Sequence, residues 1–161
     1  MAYVEVDVGR QTLGLYERSG GRLIREVAVA TAKNGVGEEF GSYRTPRGLH
    51  VIRARIGRDA PRNAVFVGRR PTGEIYSPAL RQLYPDRDWI LTRILWLSGL
   101  EVGKNRLGAV DTMRRYIYIH GAPDEDAMSI PSSHGCIKMR NDDILFLFDE
   151  VGAGTQVHII A

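Results

Sequence analysis

Apolar and polar residues alternate from the first positions of the chain. Val4, Val6 and Val8 are separated by Glu5 and Asp7, a period of two that predicts a strand with one buried face. After a Gly-Arg-Gln turn, Leu13 and Leu15 continue the pattern, and "SGG" at 19–21 leads into "LIREVAVA", so the first thirty residues read as a β-meander. The following "TAKNGVGEEFGSYRTPRG" is rich in glycine and turn formers and predicts a functional loop, closed by Thr45-Pro46-Arg47-Gly48 before a strand at "LHVI". "NAVFVG" and "GEIYS" predict two short strands. "PDRDWILTRILWLSG" predicts a helix, with Asp88 as N-cap, Ile90, Ile94 and Leu97 on one face and Gly99 as its stop. "RRYIYIHG" alternates again, with Tyr116 and Tyr118 on one side and Ile117 and Ile119 on the other, so that His120 emerges at a strand end. "RNDDILFLFDEVGAG" predicts a second helix with Asn141 as N-cap, and "TQVHII" a last strand. The expected fold is mainly β with two helices and mostly antiparallel. His50 and His158 fall inside strand patterns and are read as structural.

A chain of 161 residues with 43% hydrophobic content supports one well-buried core, so a single domain over 1–161 is expected. The net charge of +3 is spread along the chain in short pairs, which excludes a nucleic-acid arm and leaves a mild preference for acidic ligands. No run approaches the roughly 20 apolar residues of a membrane-spanning helix. The opening strand has neither the basic nor the apolar region of an export signal, so a cytoplasmic location is expected, or a periplasmic one if a leader has been removed.

The only cysteine, Cys136, sits in "IPSSHGCIKM". A free thiol is only a few per cent thiolate at neutral pH, so a cysteine enzyme needs a histidine near the sulfur. His134 is adjacent in sequence; His120 reaches the thiol if "GAPDEDAMSIPSS" returns the chain to the end of its own strand. Gly135 frees the backbone for N–H groups to converge on a developing oxyanion. Two other readings stand beside this one: a small buried hydrophobe, and a metal site, for which one Cys and two His are too few unless Asp124 joins. No cofactor or metal is expected.

"IHG" followed after a loop by "SSHGCIKM" resembles the signature of the L,D-transpeptidase catalytic domain (YkuD) family. The likeness extends to "VDVGRQTLGLYE", "TAKNG", "TPRG" and the closing helix with "GTQVHII". The resemblance implies a YkuD-like β-sandwich or barrel-like domain in which Cys136 is the nucleophile and His120 the base, oriented by the carbonyl of Gly121. It further implies that His134 shapes the site and that the N–H groups of Gly135 and Cys136 hold the oxyanion. Ser133, Lys138, Tyr118 and Arg69 are expected to meet substrate; the family often has Arg or Asn where this chain has Lys138. The implied reaction is attack on the L-centre carbonyl of the third residue of a peptidoglycan stem tetrapeptide, releasing D-Ala and leaving a thioester. Carbapenems are expected to acylate the same sulfur. Transfer to water makes a murein-recycling L,D-carboxypeptidase, the preferred reading; transfer to an amine makes 3-3 cross-links; a murein-peptide-binding domain without turnover is the non-enzymatic alternative. The stretch around 57–110 is longer than the family needs and reads as an extended insertion. Its Arg58, Arg62, Arg69 and Arg70, with Arg53 and Arg55 just before it and with Tyr76 and Trp89, form either a wall over the thiol or a solvated basic face.

Overall fold

The computed structural model describes residues 1–161. Ten strands run in chain order: β1 (Tyr3–Asp7), β2 (Thr12–Tyr16), β3 (Leu23–Ala30), β4 (Gly48–Ile56), β5 (Ala64–Val67), β6 (Arg70–Ile75), β7 (Ile90–Gly99), β8 (Tyr118–Gly121), β9 (Ile137–Met139) and β10 (Gln156–Ile160). Two helices, α1 (Pro78–Leu83) and α2 (Asn141–Glu150), accompany them. The strands follow the order β4-β10-β1-β2-β3-β9-β8-β7, and β7 pairs back onto β4, closing eight strands into a barrel-like sheet with the β5–β6 hairpin appended to β7. All pairings are antiparallel except β1 with β10 and β8 with β9. No helix is long and apolar enough to cross a membrane.

The alternation read from the sequence sets the barrel interior. Val4, Val6, Leu13, Leu15, Ile119, Ile137 and Val157 all point into one core, to which α2 adds Ile144, Leu147 and Phe148. Each such burial is worth roughly 1.5–3 kcal/mol. A second, smaller cluster lies on the other face of β7 and β8, where Ala64, Phe66, Ile94 and Tyr118 pack together with Cys136 against them.

The helix expected at 88–98 is absent, because Ile90–Gly99 is a strand. Pairing with β4, β5 and β8 buries β7 on both faces, Leu95 and Leu97 in the main core and Ile94 in the second cluster, so its apolar run does not alternate. A left-handed residue at Thr92 (φ 75°) shifts the register between Leu91 and Ile94 and adds to the resemblance to a helical period. The stretch around 57–110, expected as an insertion, divides: β5, β6 and α1 stand outside the barrel, whereas β7 is one of its staves. Asn141 is not an N-cap. Arg140 holds that position, and Asn141 is buried inside the first turn, accepting from the Thr92 hydroxyl at 2.6 Å and donating to Asn63 and Asp124.

Candidate active site

The parallel pairing of β8 with β9 sets Ile119 beside Ile137 and His120 beside Lys138. Because Ile119 and Ile137 face the main core, the period of two puts Tyr118 and His120 on the opposite face, where the turn before β9 also delivers Cys136. The loop between His120 and Cys136 thus returns the chain to its own strand. Both residues line one cavity of about 570 Å³, which His134 borders from the side. A larger depression of about 750 Å³, bordered by Glu38, Arg44 and Arg47, contains neither.

His120 is almost fully buried, and its Nδ1 lies 2.6 Å from the carbonyl oxygen of Gly121. A carbonyl only accepts, so Nδ1 carries the proton and Nε2 presents a lone pair, the tautomer a base requires. Gly121 has no room for a side chain there, since a Cβ would lie 2.5 Å from Asn141 Oδ1 and 2.6 Å from the Leu91 carbonyl. The Cys136 Sγ accepts from the Tyr118 N–H at 3.3 Å and donates to the Tyr116 carbonyl at 3.4 Å. Burial pushes this thiol up to about 12, with Asp88 adding to the effect and the Tyr118 N–H, Arg115 and Lys138 opposing it. Burial likewise holds His120 below the ordinary histidine range, against the pull of Asp88 and the Gly121 carbonyl. At neutral pH the two are therefore an uncharged thiol and an uncharged imidazole.

The turn carrying the thiol is held from two directions. Gly135 sits at φ 128°, and a Cβ there would meet Ile117 Cδ1 at 3.0 Å and the Arg44 carbonyl at 3.2 Å. Its carbonyl accepts from the Thr45 hydroxyl at 3.0 Å, and Thr45 Oγ1 accepts in turn from the Ala32 N–H at 2.9 Å. The Ser133 hydroxyl donates to the Cys136 carbonyl at 2.5 Å and accepts from the Gly135 N–H at 3.1 Å. This corrects two expectations. Ser133 is a buried brace of the turn rather than a substrate contact, and the Gly135 N–H is already bonded, whereas the Cys136 N–H makes no hydrogen bond within the protein.

Residues 36–44 form one wall, bringing Phe40 and Tyr43 to the cavity, with the His134 ring edge-on to Tyr43 at 6.1 Å between centroids. Arg115 pins this wall by donating to the Gly37 and Arg44 carbonyls and to the Ser42 hydroxyl. Opposite, Arg69 lies over the rings of Trp96 and Tyr116 and donates to the Tyr118 hydroxyl at 3.1 Å. Of the arginines expected over the thiol, Arg69 alone reaches the cavity. Arg55 bonds the Phe148 carbonyl, Arg62 pairs with Asp142, and Arg53, Arg58 and Arg70 are exposed away from it. Tyr76 and Trp89 are buried against each other. Lys138, also expected at the substrate, is turned toward Asp126 at 3.8 Å and does not line the cavity. Thr45, Arg115 and Asp88 were not legible as site residues; only the "TPRG" turn hinted at the first.

The family model described as the L,D-transpeptidase catalytic domain, YkuD, matches residues 1–159. A probable L,D-transpeptidase ErfK/SrfK of Salmonella typhimurium is 33% identical over 133 residues, covering 76% of this chain and 41% of that protein. Its Escherichia coli counterpart is 37% identical over 111 residues, covering 66% and 34%. The chain thus spans less than half the length of these curated relatives. Among solved structures, that of Bdellovibrio bacteriovorus Bd1075 superposes with a TM-score of 0.61 at 19% identity, covering 99% of this chain and 47% of the other. The L,D-transpeptidase LdtMt1 in complex with imipenem superposes with a TM-score of 0.57 at 18% identity, covering 99% and 58%. At these identities the superpositions establish the fold.

Proposed function

Because this chain belongs to the L,D-transpeptidase catalytic domain family, we propose that it is a cysteine acyl-transfer enzyme that takes the acyl group of a peptidoglycan stem tetrapeptide onto Cys136 and releases the terminal D-Ala. The observation that carries this reading is the His120 tautomer: Nδ1–H is fixed on the Gly121 carbonyl, so Nε2 is the free base in the cavity that holds the thiol.

An uncharged resting pair means that the proton moves as the bond forms. Nε2 takes the Sγ proton while sulfur attacks the L-centre carbonyl, and the Cys136 N–H donates to the oxyanion in place of the occupied Gly135 N–H. Collapse breaks the C–N bond, His120 returns the proton to the departing D-Ala amine, and a thioester remains. Water then attacks with His120 as base, C–S breaks, and the thiol regains its proton. Hydrolysis needs no second binding site and is the baseline fate of the acyl-enzyme, which makes the protein an L,D-carboxypeptidase wherever no amine competes. Arg69, Arg114 and Arg115 give the cavity a positive lining suited to the carboxylates of a stem peptide.

Intact-protein mass spectrometry after mixing with a stem tetrapeptide tests this. The wild type gains the acyl mass and releases D-Ala, and the Cys136→Ala variant binds peptide with neither event. Binding without D-Ala release by the wild type, with no adduct from the tetrapeptide or from a carbapenem, overturns the enzymatic reading in favour of a binding domain.

A further inference from the structure

Asp88 is the only acid lining the catalytic cavity, among three arginines and two histidines. It stands at the entry to β7 on a rigid segment. Trp89 beside it is buried against Tyr76, and Arg87 is paired with Glu74 at 2.8 Å and lies over the rings of Tyr84 and Trp89. Asp88 itself is exposed and has neither an ion-pair nor a hydrogen-bond partner for its carboxylate, whereas Arg69 and Arg115 on the same cavity are both engaged by neighbours. It lines the same cavity as Cys136 and His120, and its charge bears on both.

A negative charge at that point opposes the first half of the reaction, because it disfavours a thiolate. In the acyl-enzyme the sulfur is an uncharged thioester and this disadvantage disappears. What the carboxylate then favours is a cation arriving beside the thioester. We propose that Asp88 is a specificity-determining residue that draws the primary ammonium group of an acyl acceptor to the Cys136 thioester, so that aminolysis competes with hydrolysis. This rests on the acyl-transfer function proposed above and assigns to one residue of this chain the preference for a cationic amine over water as acceptor. The ammonium sheds one proton to solvent and the amine nitrogen attacks the thioester carbon. His120 takes the second proton as C–N forms and passes it to sulfur as C–S breaks, leaving an amide and the free thiol.

The test is the ratio of aminolysis to hydrolysis, measured by mass spectrometry with a stem tetrapeptide as donor and glycinamide as acceptor at pH 7. The same measurement with hydroxylamine provides an acceptor that is largely uncharged at that pH. Asp88→Asn is expected to lower the glycinamide ratio about tenfold, the scale of one charge-assisted hydrogen bond, and to leave the hydroxylamine ratio in place. An unchanged glycinamide ratio, an equal loss with both acceptors, or a wild type that acylates but transfers to water alone overturns the assignment while leaving the enzyme intact. A wild type that forms no acyl-enzyme at all overturns the function and this assignment together.

Discussion

The hydroxyl of Thr45 joins two loops that lie ninety residues apart, accepting from Ala32 and donating to the carbonyl of Gly135, and it is fully buried while doing so. Thr45→Val keeps the shape and removes both bonds, leaving a buried N–H and a buried carbonyl without partners, at about 2 kcal/mol of stability. Denaturant unfolding measures that loss. The acylation rate is expected to fall further than stability alone explains, because the same carbonyl fixes the turn that aims Cys136. Full acylation at wild-type rate in a destabilised variant would show that Thr45 holds the fold and not the nucleophile. Gly121 and Gly135 illustrate the same dependence on neighbours: each lacks a side chain because another segment occupies its place, Asn141 in one case and Ile117 with Arg44 in the other.

Among the elements, β7 and the 36–44 wall decide what surrounds the thiol. As a strand, β7 brings Ile90 to the cavity rim, with Asp88 two residues before its start, and pairs with β8, which carries His120; a helix over the same residues could not make that pairing. The wall is attached through Arg115, whose guanidinium reaches three acceptors on one loop. Arg115→Lys retains the charge near Cys136 but a lysine cannot span that fork. The expected outcome is faster hydrogen exchange across residues 36–44 and a KM raised severalfold with kcat less affected. Exchange indistinguishable from wild type would mean that the wall is held by its own turns.

For the molecule as a whole, the barrel closes where β4 meets both β10 and β7, and His50 lies in that seam opposite Val157 and Gly99. Its Nδ1 faces the Gly48 carbonyl and its Nε2 accepts from the Thr112 hydroxyl, both at 3.0 Å. Burial depresses the folded-state pKa to about 4, against 6.5 in an unfolded chain. The unfolded state therefore binds a proton more readily between these values. The stability that neutral His50 provides is fully present above pH 6.5 and is lost as pH falls through 4, roughly 3 kcal/mol in total. Chemical denaturation of the wild type at pH 7, 5.5 and 4.5, beside His50→Gln, checks this: the variant is expected to show a flatter decline over the window. Parallel declines would assign the acid sensitivity to carboxylates elsewhere.

The sequence by itself determined the β-rich class, the positions of most strands along the chain, the loop from Thr31 to Gly48, the second helix and the placement of the cysteine and histidine on their two segments. These are local properties, carried by a period of two, by turn residues and by a short motif whose chemistry is particular to its residue types. Tertiary structure alone decided that 90–99 is a strand, because a continuous apolar run fits a helix or a doubly buried strand equally until its neighbours are known. It also decided that Asn141 bonds across to β7, that Ser133 takes up the Gly135 N–H, that Lys138 turns to Asp126, and that Asp88 lines the cavity that holds the thiol. Each of these depends on a partner distant in sequence or on which way a side chain points after closure of the barrel, and neither leaves a mark on local periodicity or composition.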